Sequence, residues 1–267
     1  MTTGAPVAEA ARFAPGTFAP APGRGRLGRM LLTQARTETL LTLRNGEQLL
    51  VTLIIPLALL VALCVMHVVP VPEPRAGSAT ARVFALAVLS SAFTGQAIAL
   101  GFDRRYGVLK RLAATALPRW LLVAGRLTAA LAVVAVQIVV LSVAAILLGW
   151  DVPLSGVPWT LLLLLLGTLS FGALGVLLGG SLRAEIVLAL ANVVWFLLVM
   201  IGGVALGVDS LPSWLATVVN LLPSAALAEG LHSAVVDGTA PGPGPVVVLL
   251  VWGAAAAALA TRTTRLS

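Results

Sequence analysis

The chain has 267 residues, of which 59% are hydrophobic and only 10% charged, whereas a soluble domain carries about 25% charged residues. With a mean hydropathy of +1.04, this composition excludes an ordinary water-soluble enzyme and predicts an all-α integral membrane protein. The net charge of +7 does not imply a nucleic-acid partner, because the basic residues flank apolar runs and form no groove interleaved with aromatics.

Residues 1–25 are rich in Ala, Pro and Gly and read as a disordered cytoplasmic tail. From 26 to 48 the pattern changes. Leu27, Leu31, Gln34, Glu38 and Leu41 share a loose face among interspersed arginines, which predicts an amphipathic helix in the membrane plane. A polar extension of the first span is the alternative.

A six-helix transmembrane domain is expected over 49–261, with a short cytoplasmic tail at 262–267. A span needs about 20 apolar residues, and six runs qualify: 49–69, 81–101, 121–148, 157–180, 186–207 and 245–260. The third is longer than a bilayer requires and should tilt or protrude. The last is the shortest, and Pro56 should kink the first or mark a close neighbour. With both termini inside, fifteen of the seventeen basic residues are cytoplasmic and only Arg75 and Arg82 lie outside. That is a strong positive-inside asymmetry. Sixteen of the seventeen are Arg, which together with the abundant Ala, Gly and Pro suggests a GC-rich bacterial genome.

Charge is densest between the second and third spans, from Phe102 to Arg126, where six basic residues accompany one acid, Asp103. Helical spacing aligns Phe102, Tyr106, Leu109 and Ala113 on one stripe. A short amphipathic helix over 103–115 follows, with Asp103 at its dipole-favoured start and Pro118 as its stop. Such a loop either fixes topology or receives a partner. A long outer loop from Val208 to Gly244 contains two short apolar pieces divided at Pro223, too short to span and expected as interfacial or re-entrant helices.

Catalytic signatures are lacking. No phosphate-cradling G-x-x-x-x-G-K-[ST] sequence occurs, and neither H-E-x-x-H nor G-x-S-x-G is present. The lone Cys64 forms no intrachain disulfide and no metal set is apparent; His67 and His232 read as interfacial residues. The middles of the expected spans hold no Asp, Glu, Lys or Arg, so ion-coupled transport has no coupling group. Their milder polar residues, Gln96, Gln137 and Asn192, either bond neighbouring helices or line a substrate path. Gly172, Gly175 and Gly179 in the fourth run favour close helix packing, within the bundle or at a dimer face.

The central loop DRRYGVLKRLAATALPRWLLVAGR resembles the signature of type-2 ABC exporter membrane subunits. Asp103, Arg104, Arg105, Gly107, Leu109, Thr115, Pro118, Arg119 and Arg126 match it position by position. Departures are Asp103 for the more usual Glu, Val108 for Thr, and Ala116 for an additional Pro. RNGEQLLVTLIIPLALL and LPSWLATVVNLLPSAALAEGLHS resemble that family's approach to the first span and the segment before the sixth. The resemblance implies a cytoplasmic coupling helix seated on an ATPase, its surface also including Tyr106, Lys110, Arg111 and Leu112. Its arginines would meet acids or carbonyls of that partner. It further implies two separately encoded ATP-binding subunits that hold ATP and Mg, no cofactor on this chain, and a second membrane subunit, as a homodimer.

The reading that follows is a permease subunit of an ATP-driven exporter in the bacterial cell membrane, moving a hydrophobic or amphiphilic drug, natural product or lipid. The alternatives are a polysaccharide or glycolipid exporter of the same family, or a membrane-embedded enzyme or anchor without transport.

Overall fold

The structure, a computed structural model, describes residues 26–66, 71–108, 111, 119–202, 204 and 212–263. The N-terminal tail, His67, Leu109, Lys110, Leu112, Thr115, Pro118 and residues 264–267 lie outside it. The described residues are helical, with no strand. In order they form α1 (Leu27–Arg44), α2 (Gly46–Val65), α3 (Arg75–Val88), a π-helical segment (Leu89–Gly95) and α4 (Gln96–Arg105). There follow α5 (Arg119–Leu147), a 3-10 turn (Leu154–Gly156), α6 (Val157–Ser181), α7 (Ala184–Met200), α8 (Ser213–Val219), α9 (Pro223–Val235) and α10 (Pro243–Thr263).

Four helical stretches are long and apolar enough to cross a bilayer: Arg75–Arg105, Trp120–Leu147, Leu154–Ser181 and Pro243–Arg262. They coincide with the second, third, fourth and sixth expected runs, and the chain is a multi-pass membrane protein. The apolar helices Thr52–Val65 and Ala184–Met200 occupy the first and fifth runs but are shorter.

Two limits differ from expectation. The second stretch begins at Arg75 and continues to Arg105, where Asp103, Arg104 and Arg105 find partners on other helices. A Cβ built on Gly77 would lie 3.5 Å from Trp150 and 3.6 Å from Val236, in ordinary contact. Helix α10 begins at Pro243 and has 21 residues, so this run is not the shortest. Proline suits a first turn, where its missing N–H is not needed.

Helix α6 lies at the centre and packs on α4, the π segment, α5, α9 and α10. It is apolar all round, as a helix enclosed by others should be, and Leu163 and Phe171 are fully buried. Pro223 does divide the outer loop, standing as the first residue of α9. Helix α9 packs on α3, α6 and α10, with Leu227, Leu231 and Ala234 buried. Trp150 Nε1 ties its end to the bundle by donating to the Val235 carbonyl at 3.2 Å.

Helix α1 lies along α5. A Cβ on Gly125 would come within 2.8 Å of Gln34 Cγ, so the glycine admits the close approach. Leu32 and Leu41 remain 73% and 64% exposed. One flank of α1 is therefore on the bundle while another leaves apolar side chains exposed.

Candidate functional site

The second stretch ends on Asp103, Arg104 and Arg105, and each binds a different helix. Asp103 accepts from Arg126 Nη2 of α5 in an ion pair. Arg104 Nη1 donates to the carbonyls of Leu182 at 2.9 Å and Gly179 at 3.4 Å. These carbonyls close α6, where helical oxygens lack intrahelical donors and the dipole end is negative. Arg105 Nη1 meets Glu185 Oε1 at 2.7 Å, a carboxylate in the first turn of α7, where the dipole favours it. The three residues form a clamp on α5, α6 and α7.

The members differ in strength. Arg126 is buried and its pair is largely withdrawn from water, so loss of either partner would strand a charge. Arg105 and Glu185 are 54% and 64% exposed, and such a pair contributes at most about 1 kcal/mol.

This geometry corrects the expected helix over 103–115. Asp103 lies in the last turn of α4, not at a helix start, and there the dipole disfavours it. Arg126 offsets that cost. The helix ends at Tyr106, and Gly107 takes φ +70°, a left-handed conformation that glycine adopts without a Cβ clash. Helical hydrogen bonding resumes with Arg111 N donating to the Gly107 carbonyl at 3.2 Å. The stripe is thus broken at Gly107. Tyr106 stacks on Phe102 at 6.2 Å between ring centroids and is 68% exposed, and Arg111 is also exposed.

The arginines expected to meet acids and carbonyls of a partner, Arg104 and Arg105, meet them within their own chain. The set of expected coupling residues divides into an inward group, Asp103, Arg104 and Arg105, and an outward group, Tyr106 and Arg111. Leu109, Lys110, Leu112, Thr115 and Pro118 lie outside the described residues, as does the side chain of Arg119, which opens α5.

The three polar residues weighed for a substrate path do not lie together. Gln137 is buried; its Oε1 accepts from Ser91 Oγ at 2.8 Å and its Nε2 donates to the Thr52 carbonyl at 2.7 Å. It joins α5 to the π segment and α2. Gln96 faces a polar pocket of about 80 Å³ beside α1, with Glu38, Thr42 and Arg126, room for roughly two or three waters. Asn192 alone borders a large groove of about 630 Å³, although its Nδ2 also donates to the Leu188 carbonyl at 2.7 Å.

That groove runs between α2 and α7 over a floor of α3 and the π segment. Ile55, Pro56, Leu59 and Leu63 form one wall; Trp195, Val199 and Met200 form the other. Along the floor Arg82, Leu86, Ser90 and Thr94 recur at steps of four. Trp195 Nε1 donates to Ser90 Oγ at 3.1 Å, bracing the far wall against the floor.

The α6 glycines face helices of this chain. A Cβ on Gly175 would lie 2.5 Å from the Phe93 carbonyl oxygen, and one on Gly172 would lie 2.6 Å from Leu127 Cδ2. Gly179 sits against the Ala97 carbonyl.

Sequence reasoning missed Glu185 and the position of Arg82 in the groove lining. Position in the first turn after Leu182-Arg183 could have pointed to the former, and four-residue spacing with Leu86 and Ser90 to the latter. The partnership of Asp103 with Arg126 had no local signal.

The profile of the ABC-2 type transporter family matches residues 29–236. With most of its length matched, the chain belongs to that family and is an ABC-type transport permease, a class that normally works with an ATP-binding subunit. Comparison with individual curated proteins finds no match.

Proposed function

We propose that the chain is the six-span transmembrane subunit of an ATP-driven exporter in a bacterial cell membrane, both termini cytoplasmic. It pairs with a second copy of itself and with two ATP-binding subunits, which hold ATP and Mg. The clamp is the observation that carries this reading. It links the exposed turn at Tyr106 and Arg111 to the ends of three membrane helices, firmly at the Asp103–Arg126 pair and more weakly at Arg105–Glu185, so force applied to that turn passes to α5, α6 and α7. Helices α2 and α7 serve as the first and fifth spans, and α8 and α9 as the re-entrant pair.

The groove is the substrate path, and its apolar walls favour a hydrophobic or amphiphilic compound over a glycan, which would need hydroxyl-bonding walls. The test is purification of the tagged chain from its own membrane in mild detergent, with crosslinking at Lys110→Cys. A stoichiometric soluble subunit bearing a phosphate-cradling loop is expected. Its absence in several detergents and after crosslinking overturns the proposal.

A further inference from the structure

Helix α1 brings a second carboxylate to the part of α5 that the clamp holds. Glu38 Cγ lies 3.7 Å from where a Cβ on Gly125 would stand, one residue before Arg126. Gln34 Nε2 donates to Glu38 Oε1 at 3.0 Å and fixes the carboxylate on this side of α1. Glu38 and Arg126 both line the polar pocket of about 80 Å³. Among the described residues, however, Arg126 forms its ion pair with Asp103 alone.

Two lining side chains point to an occupant. Arg126 is 7% exposed and Gln96 8%. Arg126 donates from Nη2 to Asp103, and its Nε and Nη1 meet no acceptor among the described residues. The Gln96 amide makes no hydrogen bond among them either. Buried polar groups of this kind are satisfied by water when the protein does not satisfy them. The charges of the lining select the same occupant. Arg126 repels a cation and Glu38 repels an anion, whereas water accepts from the guanidinium and donates to the carboxylate.

We infer that the pocket is a water site, in which about two or three ordered waters bridge Glu38 of α1 to Arg126 of α5, with Gln96 of α4 as a further anchor. Helix α1 thereby joins the clamp. Asp103 and Glu38 flank one guanidinium, the first directly and the second through water, and Glu38 is a positioning residue for the Asp103–Arg126 pair. Helix α1 leads through Asn45 into α2, whose Thr52 lines both this pocket and the groove. The inference concerns this chain alone and does not depend on the transport reading.

The experiment uses the full chain in nanodiscs of zwitterionic lipid, with hydrogen–deuterium exchange and thermal unfolding as readouts. Helix α1 packs chiefly on α5, so a merely structural role for Glu38 would loosen those two helices. Glu38→Gln should in addition speed exchange at the end of α4, from Phe102 to Arg105, by about fivefold. Glu38→Asp should restore most of the protection, because another water spans the lost methylene. In the Asp103→Asn background Glu38 is the remaining carboxylate beside Arg126, and Glu38→Gln should lower the Tm about twice as much as in the wild type.

Unchanged exchange at the end of α4 in Glu38→Gln overturns the inference, as does Glu38→Asp behaving like Glu38→Gln. Equal Tm losses in the two backgrounds overturn it too. If the double variant does not fold, the exchange of the single variants decides alone. Replacing sodium chloride by choline gluconate at equal ionic strength should leave the wild-type Tm unchanged; a shift overturns the water site in favour of a bound ion.

Discussion

Asp103 sits at the helix end whose dipole disfavours a carboxylate, and it is retained there by a guanidinium 23 residues away. Replacing it by Asn leaves Arg126 buried beside a neutral amide. Asp103→Asn should therefore destabilise the solubilised protein by on the order of 3 kcal/mol. Arg105→Gln removes an exposed pair and should cost no more than about 1 kcal/mol. Thermal unfolding of the two variants in one detergent checks the order. Equal falls in Tm would contradict the distinction between a buried and a surface pair. Neither partnership was legible in the sequence, because the residues joined are 23 and 80 positions apart and no local pattern encodes which distant charge will be met. Hydropathy alone ends the second span at residue 101, and the partners of Asp103, Arg104 and Arg105 lie beyond that limit.

At the scale of the element, α6 shows what composition can and cannot announce. Its apolar run and small residues predict a closely packed helix. A stripe of small residues does not say which neighbour it faces: packing within the bundle is the favoured reading, and a dimer face the lesser one. The structure places Gly175 against the backbone of the π segment. Gly175→Ala therefore has no flexible side chain to displace and should lower the Tm and the yield of folded protein. Gly28→Ala is the contrast: nothing lies within 4 Å of the added methyl, and it should be neutral or stabilising by about 0.5–1 kcal/mol. Both follow from thermal unfolding of the purified variants, and a stable Gly175→Ala would show that α6 and the π segment can separate. The π segment itself left no trace in the sequence. Its residues, LSSAFTG, are compatible with an α-helix, and neighbours such as Gln137 and Trp195, bonded to Ser91 and Ser90, support the local shift.

For the whole molecule, the division of the proposed coupling residues predicts two kinds of failure. Arg111→Glu alters an exposed side chain beyond the clamp and should weaken capture of the ATP-binding subunit, read by co-purification. Arg104→Glu places a carboxylate against the carbonyls that close α6. It should leave the subunit bound but uncouple ATP hydrolysis from transport, read as ATPase activity without flux in vesicles. Normal transport by the correctly assembled double variant would overturn the coupling role. The all-helical, multi-pass architecture was legible because bilayer physics allows few solutions and apolar runs fix the helices. The groove was not, since it exists only where two non-adjacent helices fail to meet. One consequence concerns angular phase. The seven π-helical residues between Val88 and Gln96 lie between the groove floor at Arg82 and Leu86 and the clamp at Asp103. Each α-helical residue advances the chain by about 100°, and a π turn accommodates one residue more than an α turn. Deleting one residue there would leave Arg82 and Leu86 in place, disturb the floor at Ser90 and Thr94, and swing Asp103, Arg104 and Arg105 away from all their partners together. The segment therefore sets the rotational timing between the two ends of the second span, and insertions or deletions within it retune that timing in a way that substitutions do not.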